Sequence, residues 1–399
     1  MTYYLLPRPN YDVYKYLCMT TQFEKPMPII SNSLSHYLYK IKEKISAKEK
    51  FWNSYKKMTN PYEYIHTNVS NKQKSVATIK PLSRSFFKMV EMIHLFYIYF
   101  PNQPIRSFHL AEGPGGFIEA LAYLRKSACC TDDIYVGMTL LEDKEDENIP
   151  GWKKTAAFLK MHPNVVLENG ADQTGNILSL ENFIYCKEKY GSSMEFITGD
   201  GGFDFSMDFN MQEISITKLL FAQIAFAVCL QKRGGSFILK VFDCFMKHTV
   251  DLMYLLSSFY QKTYIVKPNT SRYANSEKYI VCIGFIYDNC ESFYPSFLAE
   301  FERMTAVVSV APTDNSLQES YIGSFLTCQT PGIFIRNIEE YNVAIGKKQI
   351  QNIHYTISLM ETKCKQDKID NLINANIKKC VQWCMQYNIP HRERERDIV

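Results

Sequence analysis

The strongest constraint on how this chain folds lies between about residue 107 and residue 287. There, short apolar runs alternate with longer segments of helical period. SFHLAEG (Ser107–Gly113), IYVGMTL (Ile134–Leu140), NVVLENG (Asn164–Gly170), MEFITGDGG (Met194–Gly202), GSFILKVF (Gly235–Phe242), TYIVKP (Thr263–Pro268) and KYIVCIGFIY (Lys278–Tyr287) read as strands. FIEALAYLRK (Phe117–Lys126), Ile216–Lys232 and Asp251–Tyr260 read as helices, the second apolar nearly all round and therefore buried. Such alternation predicts an α/β fold with a mostly parallel, Rossmann-like sheet covered on both faces. The last two strands are separated by only about ten residues, too few for a crossover helix, so the last strand is expected to run antiparallel.

The flanks are less regular. Residues 1–80 show one helical candidate, Asn32–Asn53, and read as an N-terminal extension. Ser83–Phe100 has helical spacing, a Ser at its start and Pro101 at its end. With it the α/β domain is expected to span 81–290. Residues 291–399 read as a mostly helical region, with amphipathic helices at Gln349–Glu361 and Asp367–Tyr387 and a tail of alternating charge.

Composition excludes several classes. The start of the chain has no basic residues followed by an apolar run, so it is not read as a signal peptide. The longest strongly apolar stretch, Leu219–Leu230, is too short for a bilayer, which needs about 20 residues. A soluble, intracellular protein with no membrane contact is expected. The 12 Cys are scattered and read as reduced thiols. Cys364, Cys380 and Cys384, with His391 beyond, form the one cluster to weigh for zinc, but no second tight pair accompanies them and no metal is expected. A net charge of +4 permits a polyanionic partner without demanding one.

Five local features carry chemistry. LAEGPGGF (Leu110–Phe117) follows a strand and opens a helix. Glycines there let a ligand approach the backbone, the helix N-terminus offers N–H groups to an anion, and Glu112 can accept hydrogen bonds. The run is not a P-loop, since no Gly-Lys-Ser/Thr follows, and Gly113, Gly115 and Gly116 do not fit the GxGxxG of a nicotinamide dehydrogenase. Asp200 ends a strand, where open α/β sheets place their ligands. Lys240 stands inside an apolar strand, and lysine is rarely buried unpaired. Glu277 begins the last strand, and Lys88 lies in a helix rich in Phe and Met. Each has a bland account: a tight turn, a turn Asp, a strand end reaching solvent, an exposed acid, a snorkelling lysine.

As an ordered set they are specific. SRSFFKMVEM, EGPGGF, GDGGFD, GGSFILKVF and NSEKYIVC resemble the FtsJ-like RNA ribose 2'-O-methyltransferases. GMTL (Gly137–Leu140), GADQTGNI (Gly170–Ile177) and KPNTSRYANSEKYIVCIGF (Lys267–Phe285) are most similar to the mRNA-cap enzymes of eukaryotes and large DNA viruses. The resemblance covers roughly residues 80–287. It implies S-adenosylmethionine as cofactor, RNA, in particular the capped mRNA 5' end, as substrate, and a catalytic tetrad of Lys88, Asp200, Lys240 and Glu277. It also implies a cofactor site made by Glu112, Gly113, Pro114, Gly115, Gly116, Phe117, Asp172 and Asp200. The second strand of such sheets commonly ends in an acid that holds the cofactor ribose; here the first acid, Glu142, comes some residues late. Arg84, Lys247, Lys267 and Arg272 are candidates for RNA phosphates because they lie near the tetrad motifs. A ribosomal or transfer RNA methyltransferase, or a catalytically silent RNA-binding subunit of the same fold, would share most of these marks. The Tyr-, Asn- and Lys-rich composition suits an AT-rich genome, such as a large DNA virus. The expected location is cytoplasm or virion for a viral chain and nucleus for a cellular one.

Overall fold

The apolar runs become the strands of one eight-stranded sheet. In the computed structural model residues 2–46, 48–69, 74–98, 103–126, 132–141, 151–202, 210–307, 320–362 and 366–392 are described. Glu142, Cys364 and most of the charged tail lie outside them.

The chain enters through β1 (Tyr3–Leu6), β2 (Leu17–Gln22), α1 (Asn32–Ser46) and α2 (Glu49–Thr59). The single helical candidate at 32–53 is thus two helices. The α/β part follows: α3 (Ser85–Leu95), β3 (Arg106–Leu110), α4 (Gly116–Lys126), β4 (Ile134–Met138), α5 (Ala156–Met161), β5 (Val165–Glu168), α6 (Leu180–Tyr190) and β6 (Met194–Gly199). It continues with α7 (Gln212–Ser215), α8 (Thr217–Leu230), β7 (Gln231–Val241), α9 (Lys247–Phe259), β8 (Tyr260–Val266) and β9 (Lys278–Phe285). The chain closes with α10 (Tyr294–Ala306), β10 (Tyr321–Leu326), α11 (Gly332–Glu361) and α12 (Gln366–Gln386).

The sheet order is β1-β8-β9-β7-β6-β3-β4-β5. Strands β7, β6, β3, β4 and β5 are parallel, and β9 runs antiparallel to both β7 and β8, as its short connection requires. From β3 the chain winds to one edge through β4 and β5, then returns through β6 and β7 to the other side. The crevice at the carboxyl ends of β3 and β6 is therefore the topological switch point, where ligands of open α/β sheets bind. Helix α8 packs beneath it with 13 of its 14 residues buried, which explains its lack of a polar face.

The flanking segments close on this sheet. β1 pairs antiparallel with β8, Tyr3 opposite Val266, and β2 pairs with β10 in a small second sheet. Lys42 of α1 reaches buried Asp243, just past β7, at 2.7 Å, and Lys278 at the start of β9 meets the same carboxylate at 3.2 Å. All three side chains are at most 4% exposed. The two lysines hold Asp243 well below the usual carboxylate range; burial pulls the other way and is overcome. Gln349 of α11 donates to the Ala274 carbonyl and to Ser276, and Ser276 donates to Asp243. Residues from both ends of the chain thus brace the 267–277 loop from behind. Among the described residues, no helix is long and apolar enough to cross a membrane. No three His, Cys, Asp or Glu residues among them stand together as metal ligands. Cys380 and Cys384 are buried on α12, and the His391 ring contacts the Ile389 carbonyl.

Candidate active site

The turn between β3 and α4 forms the floor of the crevice. Glu112, 4% exposed, accepts hydrogen bonds at Oε1 from the backbone N–H groups of Phe117 (2.7 Å) and Ile118 (3.1 Å), which caps α4. Its Oε2 is buried and has no partner. Burial, reinforced by the nearby Asp200 carboxylate, pushes the Glu112 carboxyl up to about 8; its backbone donors and Lys240 only partly offset this. Gly115 takes φ +103°, a conformation unfavourable to residues with a Cβ. A Cβ on Gly116 would come within 2.2 Å of the hydroxyls of Ser83 and Ser85. Only glycine allows α3 to seat its first turn directly on this loop, which brings Lys88 toward the turn. Pro114 contributes its carbonyl, which accepts from Thr155 at 2.9 Å. Phe117 is fully buried and lies beside the Tyr279 ring, so its side chain belongs to the core beneath the crevice.

Asp200 follows the last residue of β6, and its N–H donates to the Leu110 carbonyl at 3.3 Å, tying it to the glycine turn. Lys240, the penultimate residue of β7, places Nζ 3.2 Å from Asp200 Oδ1 and donates to the Asp200 carbonyl at 2.5 Å. Lys88 Nζ lies 2.7 Å from Glu277 Oε1, with the two side chains 8% and 13% exposed. Burial alone would raise the Glu277 carboxyl. Lys88 and Lys240, with Lys267 behind them, overcome it and hold the group well below its usual range. The four residues come from four separate elements and form two adjacent ion pairs.

Tyr279 joins the pairs and was missed in the sequence. Its hydroxyl lies 3.1 Å from Asp200 Oδ1, 3.4 Å from Glu277 Oε1 and 3.4 Å from Lys88 Nζ. The available signal was strand alternation: Tyr279 is two residues beyond Glu277 on the same face and opposite Lys240 in the ladder. Trp152 is a second such residue. Its ring packs where a Cβ on Gly137 would lie and borders Gly115, and its buried Nε1 has no partner.

The remaining candidates are distributed differently. Asp172 sits in the loop after β5, where Oδ1 accepts from the Thr174 N–H and hydroxyl and from Asn182; that carboxylate oxygen braces its own loop. Lys267 departs from its expected role at a phosphate. Its ammonium points inward and donates to the Asn275 side chain and carbonyl and to the Glu277 carbonyl at 2.7–2.9 Å. It shapes the loop that carries Glu277 and has no face left for an external anion. Lys247 is 40% exposed and pairs with Asp251 one turn further along α9. Arg84 and Arg272 both reach Glu63, the former at 3.8 Å and the latter through Nε and Nη2 at 2.9 and 2.6 Å.

Comparison with known proteins finds a match to the FtsJ-like methyltransferase family model over residues 81–285. A cap-specific mRNA (nucleoside-2'-O-)-methyltransferase 2 from Pongo abelii is 28% identical over 75% of this chain and 38% of its own length. A cap-specific mRNA (nucleoside-2'-O-)-methyltransferase 1 from Trypanosoma brucei brucei is 29% identical over 50% of this chain and 52% of its own. The chain therefore spans between about a third and a half of these relatives. A solved structure described as a ribosomal RNA methyltransferase from Plasmodium falciparum is 20% identical, with a TM-score of 0.37, over 51% of this chain and 98% of that one.

Proposed function

The chain belongs to the FtsJ-like methyltransferase family, and on that premise we propose that it methylates the ribose 2'-hydroxyl of a cap-adjacent nucleotide in mRNA, using S-adenosylmethionine. The observation that carries the reading is the meeting of Lys88–Glu277 and Lys240–Asp200 at the switch point beside the glycine turn. The curated relatives' names supply the preference for capped RNA.

The residues of the turn fit the cofactor. Glu112 has a buried carboxylate oxygen with no partner, which suits an ammonium group, and glycine at 113 and 116 lets the Gly151 backbone and the Ser83 and Ser85 hydroxyls close around the turn that carries it. S-Adenosylmethionine, when bound, supplies a methyl group already activated by its sulfonium. Asp200 fixes the Lys240 ammonium through its carboxylate and its carbonyl. In the reacting form Lys240 is the neutral amine: it takes up the hydroxyl proton, and the ammonium it becomes stabilises the charge that develops on the ribose oxygen. Lys88 and Glu277 hold each other and orient the ribose; Tyr279 keeps the two pairs in register. Alignment and electrostatic stabilisation, which need no metal, are the contributions of these side chains.

The test is to incubate the protein with methyl-labelled S-adenosylmethionine and short RNAs that carry or lack a methylated guanosine cap, then digest and map the label. Label on a 2'-oxygen next to the cap, absent from uncapped RNA, is expected. Equal labelling of both RNAs would refute the cap assignment, and label on a base would refute ribose transfer.

A further inference from the structure

Residues 63–69 and 74–84, between α2 and α3, bring cations and hydrogen-bonding groups together. Glu63 is fully buried and lies between Arg84 and Arg272, with Asn60 donating to it at 2.8 Å and Thr67 at 3.1 Å. This carboxylate neutralises one of the two guanidiniums. Lys56 on α2 is crowded by the same arginines: burial first, then Arg272, lowers its ammonium to about 8. Arg84 Nε is buried with no partner. Arg84 and Lys80 line a cleft of about 380 Å³ together with His66, Asn68 and Ser83. That volume lies within the roughly 300–1,000 Å³ usual for small-molecule sites. Arg84 stands one helical turn before Lys88, and Ser83 abuts Gly116, so the cleft opens beside both the tetrad and the glycine turn.

His66 adds a second type of contact. Thr67 donates its hydroxyl proton to Glu63, so it must accept from His66 Nδ1 at 2.7 Å. This assigns the ring proton to Nδ1 and leaves Nε2 an acceptor, buried and without a partner. A wall with cationic donors and one imidazole acceptor matches a nucleotide, whose phosphate takes the donors and whose hydroxyl gives to the acceptor.

We propose that Lys80, Arg84 and His66, backed by Lys56 and the Glu63–Arg272 clamp, form a docking site for an RNA phosphate next to the methylated ribose. His66 and residues 80–84, ahead of α3, are then part of the substrate site. This rests on the RNA methyltransferase reading above and adds to it the place where the RNA backbone is gripped. The phosphate is supplied either by a phosphodiester or by the 5'–5' bridge of a cap.

The test measures binding of capped and uncapped oligoribonucleotides to the full chain, over a range of salt, for wild type, Lys80→Ala, Lys56→Ala and Lys80→Arg. Lys80 is exposed, so its replacement leaves the fold intact, and unchanged S-adenosylmethionine affinity confirms this. Lys80→Ala is expected to weaken RNA binding roughly fivefold and to lower the slope of log affinity against log salt by about 0.7, the value for one single-strand phosphate contact. KM should rise while the rate at saturating RNA holds, and Lys80→Arg should restore binding. Lys56→Ala should act in the same direction, less strongly. Losses that are equal on both RNAs assign the site to a phosphodiester; a loss confined to capped RNA assigns it to the cap bridge. Unchanged affinity and salt slope in both alanine variants would overturn the proposal. Wild type that binds RNA through Lys80 yet transfers no methyl would refute the proposed function and leave the dock standing.

Discussion

The Lys88–Glu277 pair gives the sharpest quantitative test. Nζ and Oε1 are 2.7 Å apart, and neither side chain is more than 13% exposed. Removing one partner of a buried pair commonly costs about 3–5 kcal/mol, because the other is left charged and unpaired. The two ends differ here. After Glu277→Gln, Lys88 faces an uncharged amide oxygen and retains only the Tyr279 hydroxyl at 3.4 Å and the more distant charge of Asp200. After Lys88→Met, Glu277 keeps the Ser271 hydroxyl at 3.0 Å and the Tyr279 hydroxyl. Glu277→Gln is therefore expected near the upper end of that range and Lys88→Met near the lower. The double variant should cost at least about 2 kcal/mol less than the two singles together. Urea unfolding of the four proteins measures the cycle, and single-turnover methyl transfer on the same four reads the site. Each single should slow transfer by roughly 100-fold or more, and the double should be no slower than the worse single. Free energies that add to within about 0.5 kcal/mol, with rate losses that multiply, would mean that the two residues act independently and would refute the coupled-site argument.

Three further outcomes follow from the same geometry. Glu112 is protonated below about pH 8, and an ammonium placed on its free oxygen would lower that value, so cofactor binding at pH 7 should release close to one proton. Calorimetry in buffers of different ionisation enthalpy checks this, and Glu112→Gln should abolish the release. Asp243→Asn leaves Lys42 and Lys278 facing each other in the interior and should cost about 3–5 kcal/mol. Because the folded Asp243 carboxyl is depressed, its contribution to stability is complete above the unfolded carboxylate range and is lost as pH falls below it. Wild type should therefore lose more stability than Asp243→Asn on acidification from pH 6 to pH 3, followed by urea midpoints. Tyr279→Phe removes one buried hydrogen bond to a charged acceptor and should slow transfer by about tenfold, with little change in cofactor affinity.

The sheet was legible because its strands are continuous apolar runs, and a βαβ winding leaves few topologies for them. Glu112, Asp200 and the glycine turn were legible because their signals are local: Gly113, Gly115 and Gly116 close together, a helix start, an acid at a strand end. Lys240 stood out as a cation inside an otherwise apolar strand. What escaped is non-local. The Lys42–Asp243 contact joins residues 201 positions apart, and the four-residue β1 carries no periodic signal of its own. Lys267 looked like an RNA contact because it lies near the tetrad motifs. Its burial follows from the way the 267–277 loop folds back on Glu277, which the residue order does not reveal. Tyr279 was hidden among 27 tyrosines, although alternation from Glu277 placed it on the same face.

The most direct test of the central claim, that these four side chains perform ribose methylation, is the methyl-transfer rate of Lys240→Ala against wild type on capped RNA, measured together with S-adenosylmethionine affinity. Loss of more than about 99% of the rate, with cofactor affinity held within about twofold, is the result expected if Lys240 faces the hydroxyl while Glu112 and the glycine turn hold the cofactor. A variant that keeps more than about a tenth of the wild-type rate would contradict the account.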